Sequence, residues 1–143
     1  MASKQLVVFT LNGEDFGIEI TQVNEIIRPI ETFKVPNTPE YIEGLINLRG
    51  KVHTVVNLRK RFNLPSLESD ENQRIIIANV NSSIVGFIVD EVKEIIKIEE
   101  ENIENAPSAL AGLKRKYING VAKAGEHIIL LIDLSAVLSI EEG

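Results

Sequence analysis

The chain has 143 residues, 44% of them hydrophobic, and a formal charge of −6; that is enough apolar material for one domain or two small fused units, and the wrong sign for a nucleic-acid surface. Cysteine is absent, which excludes disulfides, thiolate metal sites and cysteine nucleophiles. No apolar run approaches the roughly 20 residues of a membrane-spanning helix, and Met1–Gln5 leads into a strand without an apolar signal region, so a soluble cytoplasmic protein is expected.

The first segment, Leu6–Leu11, is rich in β-formers. Asn12-Gly13 signals a tight hairpin turn, with Asp15–Ile20 as the return strand. Gly17 inside that strand marks a bulge or a close backbone approach. Thr21 is placed to cap a helical turn, Gln22–Glu25, and Pro29–Glu43 reads as irregular because Pro29, Pro36 and Pro39 interrupt it. Gly44–Leu58 (G-L-I-N-L-R-G-K-V-H-T-V-V-N-L) follows, two strand-like runs joined at Arg49-Gly50-Lys51. Gly50 suits a turn position with positive φ, so the pair predicts a hairpin that holds Arg49 at its tip. A guanidinium there is always charged and offers a rigid fork of donors, fit for anchoring a partner. Asn57 is placed to cap a short helix, Leu58–Phe62, and the polar, acidic Pro65–Asn72 is the best internal boundary.

The second half repeats the first. Gly17–Ile27 aligns with Gly86–Ile96 at a constant offset of 69 residues, with Gly17/Gly86, Val23/Val92, Glu25/Glu94, Ile26/Ile95 and Ile27/Ile96 identical. Val52–Leu58 aligns with Ile128–Leu134 at an offset of 76, with Asn57 and Asp133 both poised as caps. The extra residues fall in the linker Glu99–Asn119. Each half offers about five short strands, which suggests a small, partly closed β-barrel. Units that small need a shared buried surface. The expected architecture is therefore mainly β: two similar five-stranded barrels related by internal duplication, subdomain 1 at about 5–64 and subdomain 2 at about 73–134. A short C-terminal helix at about 134–142 is expected to pack Leu138 and Ile140 back on a barrel.

Catalytic signatures are missing. There is no G-x-S-x-G, no phosphate-cradling glycine loop and no metal-ligand spacing around His53 or His127. His53 reads as a strand histidine and His127 as a residue at an exposed hairpin tip. Glu99–Glu104 lacks calcium-loop spacing and reads as a solvated face. Neither an enzyme nor a cofactor or metal site is expected. The second-half counterpart of Asn47-Leu48-Arg49-Gly50 is Lys123-Ala124-Gly125-Glu126. The scaffold therefore does without the arginine, which favours partner recognition for Arg49 over a local ion pair with Glu43 or Glu25. Glu25 and its twin Glu94 share a local frame that also fits a structural role. The Val23/Val92 and Ile26/Ile95 pairs read as core, with some near the junction of the barrels, where an apolar groove would accept a helix.

Several blocks recur in a known order: F-x-L-x-x-x-x-F-G-I-x-I at Phe9–Ile20, V-x-E-I at Val23–Ile26, N-T-P at Asn37–Pro39, G-L-I-N-L-R-G at Gly44–Gly50, V-V-N-L at Val55–Leu58 and V-G-F-I-V-D-E-V at Val85–Val92. Through them the sequence resembles the CheW family of bacterial chemotaxis coupling proteins from about Leu6 to Ile140. The resemblance implies two SH3-like barrels and a non-catalytic adaptor. Its implied partners are the regulatory domain of the histidine kinase CheA and the cytoplasmic tips of methyl-accepting chemotaxis receptors. Neither nucleic acid nor direct membrane insertion is implied; the protein would be cytoplasmic and recruited to receptor arrays. The implied protein-binding positions are Arg49, Val23 and Glu25, the hairpin positions Gly44, Asn47, Leu48 and Gly50, and Val85, Val92 and Ile95 of the second half. Two alternatives stay open: an adaptor of another chemosensory-like pathway, such as surface motility, and a small-ligand-binding β-barrel.

Overall fold

The computed structural model describes residues 2–66, 70–106 and 116–138. The described residues form, in order, β1 Ser3–Leu11, β2 Glu14–Glu19, β3 Val23–Ile27, β4 Ile42–Leu48, β5 Lys51–Asn57, α1 Leu58–Arg61, β6 Arg74–Val80, β7 Ser83–Val89, β8 Glu91–Glu99, β9 Ile103–Glu104, β10 Ile118–Ala124, β11 His127–Ile132 and α2 Leu134–Leu138. The protein is mainly β and consists of two similar β subdomains, as the duplication implies.

The strand order is the main departure from the expected layout. Sheet A runs β8-β1-β2-β11-β10-β9 and sheet B runs β3-β6-β7-β5-β4. Mapped through the two offsets, the orders coincide: β1/β6, β2/β7, β3/β8, β4/β10 and β5/β11 hold equivalent places. The two-residue β9 is matched in sheet B by a bridge between Phe33 and Leu45. Each sheet therefore takes its first hairpin from the opposite half of the chain. The boundaries at about 5–64 and 73–134 describe the duplicated sequence units, and neither sheet coincides with one of them. The two hairpins share a pattern that fits either set of ladder positions, and in the crossed arrangement both contribute to the shared core.

The crossing is closed by two parallel seams. Phe16 and Gly17 on β2 register with Leu130 and Leu131 on β11, and Val55 on β5 registers with Gly86 on β7. At both seams the glycine is required by packing: a Cβ on Gly17 would lie 3.0 Å from Ile129 Cγ2, and one on Gly86 would lie 2.8 Å from Ile75 Cγ2. Close approach, and no bulge, explains the repeated glycine.

Side-chain alternation sorts the core into three parts. Leu6 and Val8 of β1 join Ile98, Ala122 and Ile129 inside sheet A. Ile75 and Ile77 of β6 join Ile46 and Val55 inside sheet B. The opposite faces of the same strands, Val7, Phe9 and Leu11 with Ile76, Ala78 and Val80, meet in one large shared core. Phe9, Phe16, Phe62 and Tyr117 run through it with successive centroids 6.1, 5.9 and 5.4 Å apart. Because β1 and β6 are buried on both faces, they read as unbroken apolar runs.

Local signals hold with one exception. Asn57 Oδ1 accepts from Lys60 N at 3.1 Å, and Asp133 Oδ1 accepts from Ala136 N at 3.1 Å, so both expected caps form. The helical turn expected at Gln22–Glu25 is instead a 3₁₀ turn at Ile20–Gln22. Val23, Ile26 and Ile27 favour the extended backbone, and β3 begins at once. Of the expected C-terminal helix, Leu134–Leu138 is described, with Leu138 packed on the shared core; Ile140 and the linker segment 107–115 lie outside the described residues. No helix among the described residues is long and apolar enough to cross a membrane.

Candidate functional site

The hairpin β4–β5 turns tightly at Arg49-Gly50, with Leu48 paired to Lys51. Arg49 (φ 51°) and Gly50 (φ 83°) both take the left-handed backbone, the signature of a type I′ turn. Asn47 Oδ1 accepts from Gly50 N at 3.0 Å and secures it. The hairpins β1–β2 and β6–β7 have asparagine at the same first turn position, Asn12 (φ 53°) and Asn81 (φ 51°). Asparagine tolerates this region and arginine does not favour it. The backbone at Arg49 is thus held in a conformation that its side chain does nothing to ease.

The side chain reaches back to β3. Arg49 Nη1 donates to Glu25 Oε1 at 3.2 Å and Nη2 donates to Oε2 of the same carboxylate, a two-pronged pair. Arg49 is 68% exposed against 29% for Glu25, so Glu25 is the inner anchor and the guanidinium keeps an open flank. Glu25 pairs in register with Ile77 of the sheet B interior, which sets its carboxylate at the mouth of that barrel. Leu48, His53 and Ile84 complete a shallow depression around the pair. Of the two acidic partners considered for Arg49, Glu25 is the one used. Glu43 meets Asn57 Nδ2 at 3.0 Å and Lys60 Nζ at 3.7 Å.

The remaining expected positions divide. Val23 lies two residues before Glu25 and is half-buried against the shared core, and Val92 is its counterpart in sheet A. Ile95 is 53% exposed on β8, and its twin Ile26 is 36% exposed on β3. Val85 is 7% exposed inside the shared core and offers a partner no surface. Gly44 has a backbone reason of its own: with φ 146°, a Cβ there would lie 2.4 Å from Phe33 O. Among the described residues Glu94, the twin of Glu25, forms no ion pair. The junction between sheets is filled by the shared core, with Val23 and Val92 half-buried against it.

Sequence reasoning missed a second ionic centre. Arg59 Nε donates to Asp90 Oδ1 at 2.8 Å and Nη2 to Oδ2 at 2.7 Å. Asp90 also accepts from Asn12 N at 2.8 Å, and Arg59 Nη1 donates to Pro65 O at 2.7 Å. Burial pushes the Asp90 carboxyl up, but the hydrogen bonds from Arg59 and Asn12 N and the Arg59 charge outweigh it and hold the group below its ordinary value. Arg59 is raised, mainly by its hydrogen bond to Asp90. Next to it, Arg61 lies 4.1 Å over the Tyr41 ring and 4.9 Å from the Tyr117 ring and donates to Val137 O at 2.8 Å. The basic run Arg59-Lys60-Arg61 is therefore engaged within the chain. In the sequence Arg59 stands out only as part of a local basic patch, and Asp90 only within V-G-F-I-V-D-E-V.

The CheW-like domain family model matches residues 5–142. A chemotaxis protein CheW from Bacillus subtilis is 38% identical over 138 residues, covering 96% of this chain and 88% of that protein. Another, from Klebsiella aerogenes, is 34% identical over 139 residues, covering 97% and 84%. The crystal structure of the scaffolding protein TtCheW from Thermoanaerobacter tengcongensis superposes with a TM-score of 0.90 at 37% identity, covering 97% of this chain and 94% of that one.

Proposed function

This chain belongs to the CheW-like domain family, and from that membership we propose that it couples the cytoplasmic tips of methyl-accepting chemoreceptors to the regulatory domain of the histidine kinase CheA. At the coarser level it is a chemotaxis scaffold, like the relatives and the scaffolding protein it matches. The coupling acts without catalysis, in the cytoplasm, at receptor arrays.

The observation that carries this reading is Arg49. Its turn would be served better by asparagine, as in the two sister hairpins, and its twin position lacks an arginine altogether. A residue placed against local backbone preference points to a role outside the fold. Its guanidinium is oriented by Glu25 and open on one flank, which is how a preorganised anchor for a partner's acceptor groups is built. Asn47, Leu48 and Gly50 shape the tip, Val23 and Ile26 extend an apolar margin along β3, and Val92 and Ile95 do the same on β8. The two barrel interiors are filled by their own Ile, Leu, Val and Ala side chains, which leaves little for the ligand-barrel alternative.

A rigid body that holds a receptor site and a kinase site at fixed geometry raises the effective concentration of one partner near the other. It passes on a receptor change only as a difference in contact energy between signalling states. The test is co-sedimentation of the CheA regulatory domain with a chemoreceptor cytoplasmic fragment, with and without this protein. Capture of the kinase domain only when the protein is present supports coupling; equal capture without it refutes coupling.

A further inference from the structure

Neither half of this chain completes a sheet. Within residues 3–64 the only ladders are β1 with β2 and β4 with β5. β3 finds its partner in β6, and β5 finds its second partner in β7. β1 pairs with β8 over eight register positions from Ser3 to Thr10, and β2 pairs with β11. All of these cross from one half to the other. The shared core likewise draws on both halves. The only covalent link between the halves is the stretch 65–73, polar and acidic in sequence.

A second copy of the chain carries the same two complementary halves. We propose that this protein exchanges halves with a second copy: residues 3–64 of one chain fold onto 74–138 of the other, and reciprocally. The strand ladders and core contacts among the described residues can re-form between the two chains. Which form wins is set by the connector and by protein concentration, since exchange replaces an intramolecular partner by an identical intermolecular one. A connector of nine residues reaches at most about 30 Å, and removing four of them cuts that reach to about 17 Å, which disfavours the return within one chain relative to the dimer. Glu25 and Arg49 both lie in the first half, so each unit of the exchanged dimer keeps its ion pair and the dimer presents two such sites.

The absence of cysteine makes the test clean. Thr10 and Glu91 are register partners on β1 and β8, so a Thr10→Cys, Glu91→Cys chain forms its disulfide within one chain in the monomer and between chains in the exchanged dimer. The full chain with both changes is unfolded, refolded at high protein concentration, oxidised, and examined by light scattering and non-reducing denaturing electrophoresis. A version lacking residues 66–69 is treated in parallel. We expect a dimer that stays covalently joined on the gel, as a minor species at native connector length and as the major species with the shortened connector. Monomers cross-linked internally in both versions would overturn the proposal. So would a dimer in solution whose chains separate on the gel as internally cross-linked monomers. Should the shortened chain fail to fold, the native-length chain decides alone.

Discussion

Arg49 and Glu25, 24 residues apart in sequence, meet as a two-pronged ion pair at the open end of sheet B. Their twins in sheet A, Gly125 and Glu94, make no such pair. An exposed pair of this kind contributes only about 0.2–1 kcal/mol to stability, and a left-handed arginine costs about as much. Arg49→Asn should therefore leave the fold intact, with a stability equal to or slightly above that of the wild type. Urea denaturation of the two proteins checks this, and a loss beyond about 2 kcal/mol would mark the pair as structural.

Asp90 should be the costliest ionic residue to remove. It joins α1, the β1–β2 turn and the start of β8 through Arg59 and Asn12 N. Asp90→Ala strands the Arg59 guanidinium in a site where it is only 12% exposed and should cost about 2–3 kcal/mol.

The pH dependence has a definite sign. Asp90 is held below its ordinary value in the folded protein, so the unfolded chain binds the proton more readily. The stability it contributes is complete above the unfolded value of about 4 and is lost as the pH falls through the lower folded value. Subtracting the stability–pH curve of Asp90→Asn from that of the wild type should give a difference that shrinks below about pH 4. A difference that stays flat there would contradict the assignment.

The parallel seams predict a graded glycine effect. Gly86→Ala places a Cβ 2.8 Å from Ile75 Cγ2, and Gly17→Ala places one 3.0 Å from Ile129 Cγ2. Overpacking of this kind costs about 1–3 kcal/mol. Both variants should melt below wild type, with Gly86→Ala the lower.

Arg61 holds the last helix. Its stacking on Tyr41 and Tyr117 and its bond to Val137 O tie α2 to the shared core. Arg61→Ala should speed amide exchange across Leu134–Leu138 while the β6 and β7 amides keep their protection. Unchanged exchange in α2 would show that Leu134 and Val137 hold the helix unaided.

Much of this was legible in the residues. Alternation and turn chemistry located the hairpins, because Asn12-Gly13 and Gly50 favour the tight-turn backbone locally. The offsets of 69 and 76 revealed two equivalent units. The sequence does not say which hairpin pairs with which sheet. β1–β2 and β6–β7 carry the same pattern, and their partners β8, β11, β3 and β5 are equally matched, so the crossing is a choice between near-degenerate pairings. The Arg49–Glu25 pair was one of two local options; Glu25 on β3 meets the turn, whereas Glu43 is engaged by Asn57 and Lys60. Val85 was named as a binding position only through the family resemblance, and its side chain points into the core shared by both sheets. Arg59 and Asp90 stayed hidden because their contact depends on that same crossing.

On the proposed reading, Arg49 serves a partner and not the fold. The measurement that tests it most directly is titration of a chemoreceptor cytoplasmic fragment and of the CheA regulatory domain against wild type and Arg49→Asn, both first shown to be folded. Binding of the receptor fragment to Arg49→Asn is expected to weaken by about tenfold or more, the loss of one good charged contact, with stability unchanged. Binding of both partners by Arg49→Asn as tightly as by wild type would contradict it.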